Sequence, residues 1–239
     1  MRHFNILLLL LLTVTATVQG QKKVTGNGNV VTLEREVGSF DAVATHGWFD
    51  VILIAGKEGE ISIEGEENLL PFLITTVKRG TLIIETEKGK SLKSSSGLGI
   101  TISIPITAIS AASLAGTGSL QSKTNLESPN FKVSLAGSGK MLLPIETTNM
   151  EVALAGSGNM TLSGKTEDIA VSIAGSGIIE GFDLTADSID ANLTGSGTVK
   201  ITANTAITAK IAGSGEVIYK GNADKIKSSV IGSGGISSY

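Results

Sequence analysis

The chain has 239 residues, a formal net charge of −3 at pH 7 and no cysteine. The lack of cysteine excludes disulfides, metal–thiolate sites, a thiol nucleophile and a lipid-modified cysteine at a processed N-terminus. Residues 21–96 and 97–239 each carry nine basic and eleven acidic side chains, so neither half has the basic excess that nucleic-acid binding requires. We therefore expect no nucleic-acid partner.

Residues 1–20 have the pattern of a secretory signal peptide. Arg2 supplies the positive start, Ile6–Leu12 the apolar run and Val18-Gln19-Gly20 a small-residue cleavage site. The apolar run is too short for a membrane-spanning helix, although a retained anchor is the alternative. We expect an exported protein that begins at Gln21 and lies in the periplasm, on the outer-membrane surface or outside the cell.

Residues 21–36 are predicted to form a flexible leader, up to Asn29, and then the first strand. Residues 37–99 alternate between apolar and polar side chains and are predicted to form a β cap region, or else the first, atypical turns of the repeat that follows. A short helical turn is expected within residues 67–76, and an exposed loop over residues 87–99. The predicted strands are Val30–Val37, Phe40–Thr45, Phe49–Ala55, Glu60–Glu64 and Thr81–Thr86.

Residues 100–239 are organised by a glycine triplet that recurs every 18 to 21 residues. Apolar residues stand two positions before and two positions after each triplet, and the alternation between them is typical of half-buried strands. A period of this length is characteristic of stacked repeats. The triplets are Gly116-Thr117-Gly118 and the Gly-Ser-Gly units that begin at Gly137, Gly156, Gly175, Gly195, Gly213 and Gly232.

This pattern predicts an all-β fold, a right-handed parallel β-helix (solenoid) of about seven coils with an irregular N-terminal β cap. Both glycines of a triplet are expected to face the interior at a corner, where a side chain would not fit, and the serine to face water. Parallel crossovers are nearly always right-handed, which sets the handedness. An antiparallel meander with two strands per period is the alternative.

Several motifs, taken in order, resemble the head GIN domain family of secreted or surface proteins, described as putative auto-transporter adhesins and found chiefly in Bacteroidetes-like bacteria. The resemblance covers residues 37–99 and 100–239, and it implies a β-helical domain with an adhesive or surface-structural role. It carries over no catalytic residue. The matching segments before the glycine triplets are Gly38-Ser39-Phe40-Asp41-Ala42-Val43, Phe49-Asp50-Val51, Ala55-Gly56, Glu67-Asn68-Leu69-Leu70, Gly80-Thr81-Leu82-Ile83-Ile84 and Ile102-Ser103-Ile104-Pro105.

The acidic residues between the coils are the main candidates for chemistry. We interpret them as a solvated rim, because lysines such as Lys165 and Lys200 alternate with them. Paired carboxylates of a glycoside hydrolase and a weak calcium site are the alternatives. The residues concerned are Glu167, Asp168, Asp183, Asp187 and Asp190.

The aromatic pair Trp48-Phe49 is the other candidate. The two side chains have opposite parity along the predicted strand, which favours Phe49 as a core residue, whereas Trp48 is either core or an exposed ring on which a sugar could stack. His46, the only histidine after residue 20, is interpreted as a turn residue without a fixed partner. No catalytic, cofactor-binding or metal-ligating residue is assigned and no cofactor is expected. The ligand candidates are Trp48, Asp183 and Asp187.

The sequence thus predicts a non-enzymatic surface or periplasmic domain, an adhesin or a cell-envelope structural or interaction protein. The alternative is a carbohydrate-binding or carbohydrate-active protein on the same scaffold. Expected partners are a cell-surface glycan or an envelope component. We also predict a homo-oligomer formed through solenoid ends or edges, because the last triplet is followed by no polar cap and uncovered strand edges tend to pair with another chain.

Overall fold

The computed structural model describes residues 21–95 and 97–239, so the predicted signal peptide lies outside the described residues. Seventeen of the strands in these ranges form one sheet, and β1 pairs separately with β8. None of the helical structure in these ranges has the length and apolar character needed to cross a bilayer. The elements are β1 Lys22–Thr25, β2 Val30–Glu36, β3 Ala42–Gly47, β4 Asp50–Ala55, β5 Glu60–Glu66, a 3-10 turn Leu70–Phe72, β6 Leu73–Lys78, β7 Thr81–Thr86, β8 Lys90–Lys93, β9 Thr101–Ile106, β10 Ala111–Gly116, β11 Ser119–Ser122, β12 Leu126–Gly137, β13 Lys140–Gly156, β14 Asn159–Gly175, β15 Ile178–Gly195, β16 Thr198–Gly213, β17 Glu216–Lys220, β18 Lys225–Gly232 and β19 Gly235–Ser238.

The repeats form a β-solenoid of about seven turns. The strands from β12 to β16 each pair in parallel with the next, and the first glycines of successive triplets lie side by side, Gly137 against Gly156 and Gly156 against Gly175. The prediction of parallel coils is confirmed. The antiparallel meander is excluded for these strands.

Each coil places two runs of alternating side chains against one shared interior. In β13 the first run ends at Ile145 and the second begins at Met150, and the alternate residues of both runs are buried. Burying an aliphatic side chain of this size contributes about 1.5–3 kcal/mol. A single coil has no second layer to cover its interior face, so this stabilisation is available only to stacked coils. The buried residues of this coil are Met141, Leu143, Ile145, Met150, Val152 and Leu154.

The two glycines of a triplet are required for different reasons. Gly175 has a φ of 130°, and a Cβ built on it would overlap the backbone carbonyl oxygen of Gly156 in the preceding coil. The second glycine, Gly177, is buried, and a Cβ there would collide with Leu154. The expectation that both glycines face the interior is therefore wrong for the first one, which is partly exposed and is required by its backbone angle and by the neighbouring coil.

The serine of the triplet faces water, as predicted. The link between neighbouring corners is made by its backbone, because the N–H of Ser176 donates to the carbonyl of Gly156 at 2.9 Å. The same bond recurs from Ser157 to Gly137 at 2.9 Å and from Ser196 to Gly175 at 2.8 Å. The corners are thereby held at the spacing of paired strands, about 4.8 Å.

The stack does not follow chain order at its N-terminal end. β3 and β4 pair in parallel with β10 and β11, so Gly47 aligns with Gly116, and on their other side they pair with β7 and β9. The first coil in the chain is therefore the second in the stack. The boundary predicted at residue 100 does not separate cap from coils, because part of residues 37–99 is solenoid, and both structures proposed for that segment are present.

The cap itself is antiparallel. β5 pairs with β9, β2 with β5 and β6 with β7, so both sides of the outermost coil continue into reversed strands. Arg35 of β2 reaches across this end, and its guanidinium donates to the carbonyls of Leu73 at 2.6 Å and Leu70 at 3.3 Å. Partial burial lowers the pKa of Arg35 from its ordinary value. The predicted helical turn is the 3-10 turn that leads into β6.

The segment predicted to be a flexible leader is held to the cap. β1 pairs in parallel with β8, which lies inside the predicted exposed loop. Glu66 fixes the chain beyond both strands, because its buried carboxylate accepts hydrogen bonds from the N–H of Gly28 at 2.7 Å, the N–H of Ser95 at 2.9 Å and the Ser95 hydroxyl. These bonds, led by that from the Ser95 side chain, lower the pKa of Glu66 from 4.5 to about 2.

Gly175→Val should destabilise the solenoid by several kcal/mol, with about 1–3 kcal/mol from overpacking against Gly156 and about 1–3 kcal/mol from backbone strain. Ser176→Ala, next to it and exposed, should change the free energy of unfolding by less than about 0.5 kcal/mol. Urea unfolding followed by circular dichroism measures both. Equal losses for the two variants would contradict the geometry described for the corner.

Glu66 should stabilise the cap in a pH-dependent way. Its pKa is lower in the folded chain, so its contribution is complete above about pH 4.5 and is lost as the pH falls towards 2. The difference in the free energy of unfolding between the wild type and Glu66→Gln should therefore shrink between pH 5 and pH 2. Glu64→Gln, at an exposed position of β5, is the control and should show no such trend. Hydrogen exchange of residues 22–28 locates the effect.

Candidate functional site

An open groove of about 570 Å³ follows the second corner of several successive coils, between their two buried runs. We call it the corner groove. It crosses β12 to β16, and each of these strands contributes side chains to it at the spacing of paired strands. It is lined by Ser128, Pro129, Glu146, Thr147, Thr148, Lys165, Thr166, Glu167, Thr185, Asp187 and Asn204.

Hydroxyl groups shape this corner in the same way in three consecutive coils. Thr147 Oγ1 donates to the carbonyl of Asn149, two residues ahead, at 3.1 Å. Ser128 does the same to Asn130 at 2.9 Å and Thr166 to Asp168 at 3.0 Å. Such local bonds are characteristic of Ser and Thr in turns. The sequence carries this signal as Ser or Thr two residues before Asn or Asp, repeated every 19 residues.

Three charged groups of the groove, Glu146, Lys165 and Asp187, are at least partly exposed and contact neutral or oppositely charged neighbours. Glu146 Oε2 lies 3.9 Å from Lys165 Nζ, and Glu146 Oε1 accepts from Asn125 Nδ2 at 3.2 Å. Asp187 Oδ1 accepts from Asn204 Nδ2 at 3.0 Å. The exposed ion pair contributes little to stability, at most about 1 kcal/mol. These side chains therefore remain available to a ligand at small cost to the fold.

The structure separates the two aspartates predicted as ligand candidates. Asp187 lines the corner groove, whereas Asp183 stands opposite Ser163 at an irregularity in the pairing of β14 with β15 and is not part of the groove lining. Asp190 lies further along the same strand, β15, and its Oδ1 accepts a hydrogen bond from Asn192 Nδ2 at 3.1 Å. Within residues 21–95 and 97–239, no three His, Asp or Glu side chains come together in an arrangement that could hold a metal ion.

Trp48 lies at the other end of the molecule. The segment Gly47-Trp48-Phe49 aligns with Gly116-Thr117-Gly118, so Trp48 stands in the outward row of the triplets and Phe49 in the inward row. Phe49 is completely buried, as predicted, and its ring centre is 5.5 Å from that of Trp48. Trp48 is half-buried and borders an open depression of about 320 Å³ with Leu92, Lys93, Ser94, Gly97, Leu98 and Gly99.

The three ligand candidates do not form one site. Trp48 belongs to the coil of Gly47, and Asp187 to the coil that ends at Gly195, five coils further along the stack. At about 4.8 Å per coil, roughly 20–25 Å along the axis separates them. His46 also differs from the prediction, because its Nδ1 lies 3.7 Å from Glu85 Oε2, its neighbour on β7.

The glycine corner, the parallel register and the continuous aliphatic interior define a β-solenoid repeat protein. The family model described as "Putative auto-transporter adhesin, head GIN domain" matches residues 39–223. The chain therefore belongs to the head GIN domain family. A search of curated proteins finds no match to the chain.

Solved structures from Bacteroides and Parabacteroides species share the fold over most of the chain. A putative adhesin from Bacteroides fragilis is 22% identical, has a TM-score of 0.81, and the match covers 90% of this chain and 100% of that one. A putative lipid binding protein from Parabacteroides distasonis is 27% identical, with a TM-score of 0.75 and coverage of 91% and 100%. A putative adhesin from Parabacteroides merdae is 21% identical, with a TM-score of 0.73 and coverage of 91% and 99%.

Phe49→Ala should cost about 3–5 kcal/mol of unfolding free energy, because it empties a fully enclosed position of the core. Trp48→Ala should cost about 1 kcal/mol, since the ring stands in the outward row and is half-exposed. Chemical unfolding measured by far-ultraviolet circular dichroism gives both values. A larger loss for Trp48→Ala than for Phe49→Ala would reverse the assignment of the two rows.

Proposed function

We propose that this protein is a non-enzymatic, exported adhesion module of the cell surface or periplasm, and that the corner groove binds a cell-surface glycan or another polyhydroxylated envelope component. The observation that carries the proposal is the composition of the groove. Hydroxyl, amide, carboxylate and ammonium groups stand side by side on a rigid stack, which is the set of groups that recognises sugar hydroxyls.

The repeat geometry suits an extended ligand. Hydroxyl side chains recur at matched positions of neighbouring coils, as the partly exposed Ser128 and Thr147 do, so successive units of a polymer would meet similar groups at regular intervals. Many weak contacts on one chain add up through effective concentration. Binding of this kind does not require a deep pocket, so the open shape of the corner groove is compatible with it.

The signal-peptide pattern of residues 1–20 and the adhesin description of the family support export and adhesion. The contacts made by two of the groove carboxylates, Asp187 and Glu146, favour binding over catalysis. Asp187 is held by the Asn204 amide and Glu146 by Asn125 and Lys165. A glycosidase needs two carboxyl groups placed on either side of the scissile bond, one of them kept protonated. Asp187 and Glu146 are instead engaged by amide and ammonium groups of neighbouring coils.

An apolar ligand is a second candidate, favoured by the depression beside Trp48. Leu92 and Leu98 line it and Lys93 stands at its rim, which would suit an acyl chain and an acidic head group. The relative from Parabacteroides distasonis is described as a putative lipid binding protein. Quenching or a spectral shift of the Trp48 fluorescence on adding phosphatidylglycerol vesicles, absent with phosphatidylcholine vesicles, would support this candidate.

Binding to a glycan array by the chain from Gln21 onward tests the main proposal. Asp187→Ala should weaken binding about tenfold, the effect of losing one charge-assisted hydrogen bond. Asp183→Ala is the matched control, because Asp183 lies on the same strand outside the groove and should leave binding unchanged. Equal losses in both variants would contradict the assignment of the groove.

The same samples should leave polysaccharides intact in a hydrolysis assay. Chain shortening by the wild type that disappears in Asp183→Ala or Asp187→Ala would show a carbohydrate-active enzyme and overturn the non-enzymatic proposal. Circular dichroism of each variant checks that the fold is unchanged, since both substitutions are at exposed positions.

A further inference from the structure

The C-terminal end of the solenoid presents a strand edge. β18 pairs with β16 on one side, and no strand pairs with its other edge among residues 21–95 and 97–239. Its alternate backbone N–H and C=O groups are therefore free to extend the sheet. Unprotected edges of this kind readily pair with another strand.

The interior is also open at this end. Ile226, Ser228 and Val230 stand next to Ile207, Ala209 and Ile211 and so continue the inward face. Yet Ile226 and Val230 are each 39% exposed, whereas the residues beneath them are almost completely buried. Nothing in the last coil shields these side chains as the cap shields the outermost coil at the N-terminal end. Among the residues that the structure describes, this end has neither a polar cap nor a covering layer.

The N-terminal end is a poor partner for this surface. Arg35 lies across it, with its guanidinium bonded to the carbonyl groups of Leu70 and Leu73. Placing Ile226 and Val230 of a second copy over that end would bury a cation beneath aliphatic side chains without a counter-charge, which is strongly unfavourable. Head-to-tail stacking of copies is therefore disfavoured.

We propose that two copies of the chain associate end to end through β18, which pairs with β18 of the second copy in antiparallel fashion about a two-fold axis at Ser228. In this register Ile226 faces Val230 of the other copy and Val230 faces Ile226, so the two open interiors close on each other. An isologous interface requires such self-complementarity. The two grooves then belong to one continuous stack.

The charges of β18 agree with this register. Counted from Ser228, Lys227 stands opposite Ser229 of the second copy, and Lys225 opposite Ile231. Shifting the pairing by two residues, so that its centre falls on Lys227, would place two lysines directly opposite each other, which is destabilising. A shift of one residue would pair inward with outward side chains. The register centred on Ser228 satisfies both conditions.

Mass measurement tests the association. Light scattering or sedimentation of the chain from Gln21 onward should give a monomer–dimer equilibrium with no larger species. A monomer at the highest concentration reached would overturn the proposal, and so would a series of masses beyond the dimer, which would indicate head-to-tail stacking.

Cross-linking tests the axis. The chain has no cysteine, so Ser228→Cys introduces a single thiol, which the two-fold axis places against its own copy. Directly opposed residues of antiparallel strands have Cα atoms about 4.5–5.5 Å apart, within the range that a disulfide spans. Oxidation should give a covalent dimer. Ser229→Cys, the matched control, faces Lys227 instead and should cross-link at least tenfold more slowly; equal rates would overturn the proposed register.

A pair of acidic variants separates this dimer from non-specific association of apolar residues. Val230→Glu places carboxylates inside the closed core and should abolish the dimer. Ile231→Glu, one residue further and outward, places a carboxylate opposite Lys225 of the second copy and should strengthen the dimer at low salt. Weakening by both variants to the same degree would show that the side chains act only through their hydrophobicity and would overturn the model.

Discussion

The close approach of backbone to backbone at the glycine corner is the constraint on which the rest of the molecule depends. At Gly175 the chain turns with a positive φ, and the carbonyl oxygen of Gly156 in the preceding coil lies where a Cβ would be. Any other residue would push the coils apart, and the ladder of N–H···O bonds beside the corner would lengthen with them. Because each corner fixes the register of its coil against the preceding coil, the buried aliphatic residues of successive coils stack directly on one another. The loops between the coils do not have to set this register.

The sequence predicted this architecture well because the signals are local and repeated. The alternation of apolar and polar residues predicts the outward serines and the inward row, which consists of Leu135, Leu154 and Ile173. The recurrence of the triplet predicts that the coils stack. The role of the first glycine was predicted wrongly, since parity along a strand says where a side chain would point only when the backbone is extended. At a positive φ the missing Cβ points along the stack instead.

The N-terminal half was less predictable for a physical reason. The position of β3 between β10 and β7 depends on pairing between residues far apart in the chain, which no local alternation encodes. The buried Glu66 also has no sequence signal, since its partners lie in the leader and in the loop near Ser95. Of the ligand candidates, Trp48 and Asp187 border open surfaces, but nothing in the sequence could tell that five coils separate them. The corner groove arises from hydroxyl turns whose 19-residue period is present in the sequence, but the pairing of the coils decides that these turns line one groove.

The displaced order of the coils at the N-terminal end has a consequence for how the molecule is assembled. The segment from β3 to β4 is covered on one side by β7 and β9 and on the other by β10 and β11. Residues 42–122 therefore form a unit whose N-terminal end is covered by the cap, and only its other end can take further coils. Each later coil can form only on the coil before it, in the order in which the ribosome delivers the chain. The unit of residues 42–122 thus fixes where the stack begins but not how many coils it has. A duplicated segment of about 19 residues between two corners would add a coil without disturbing that unit.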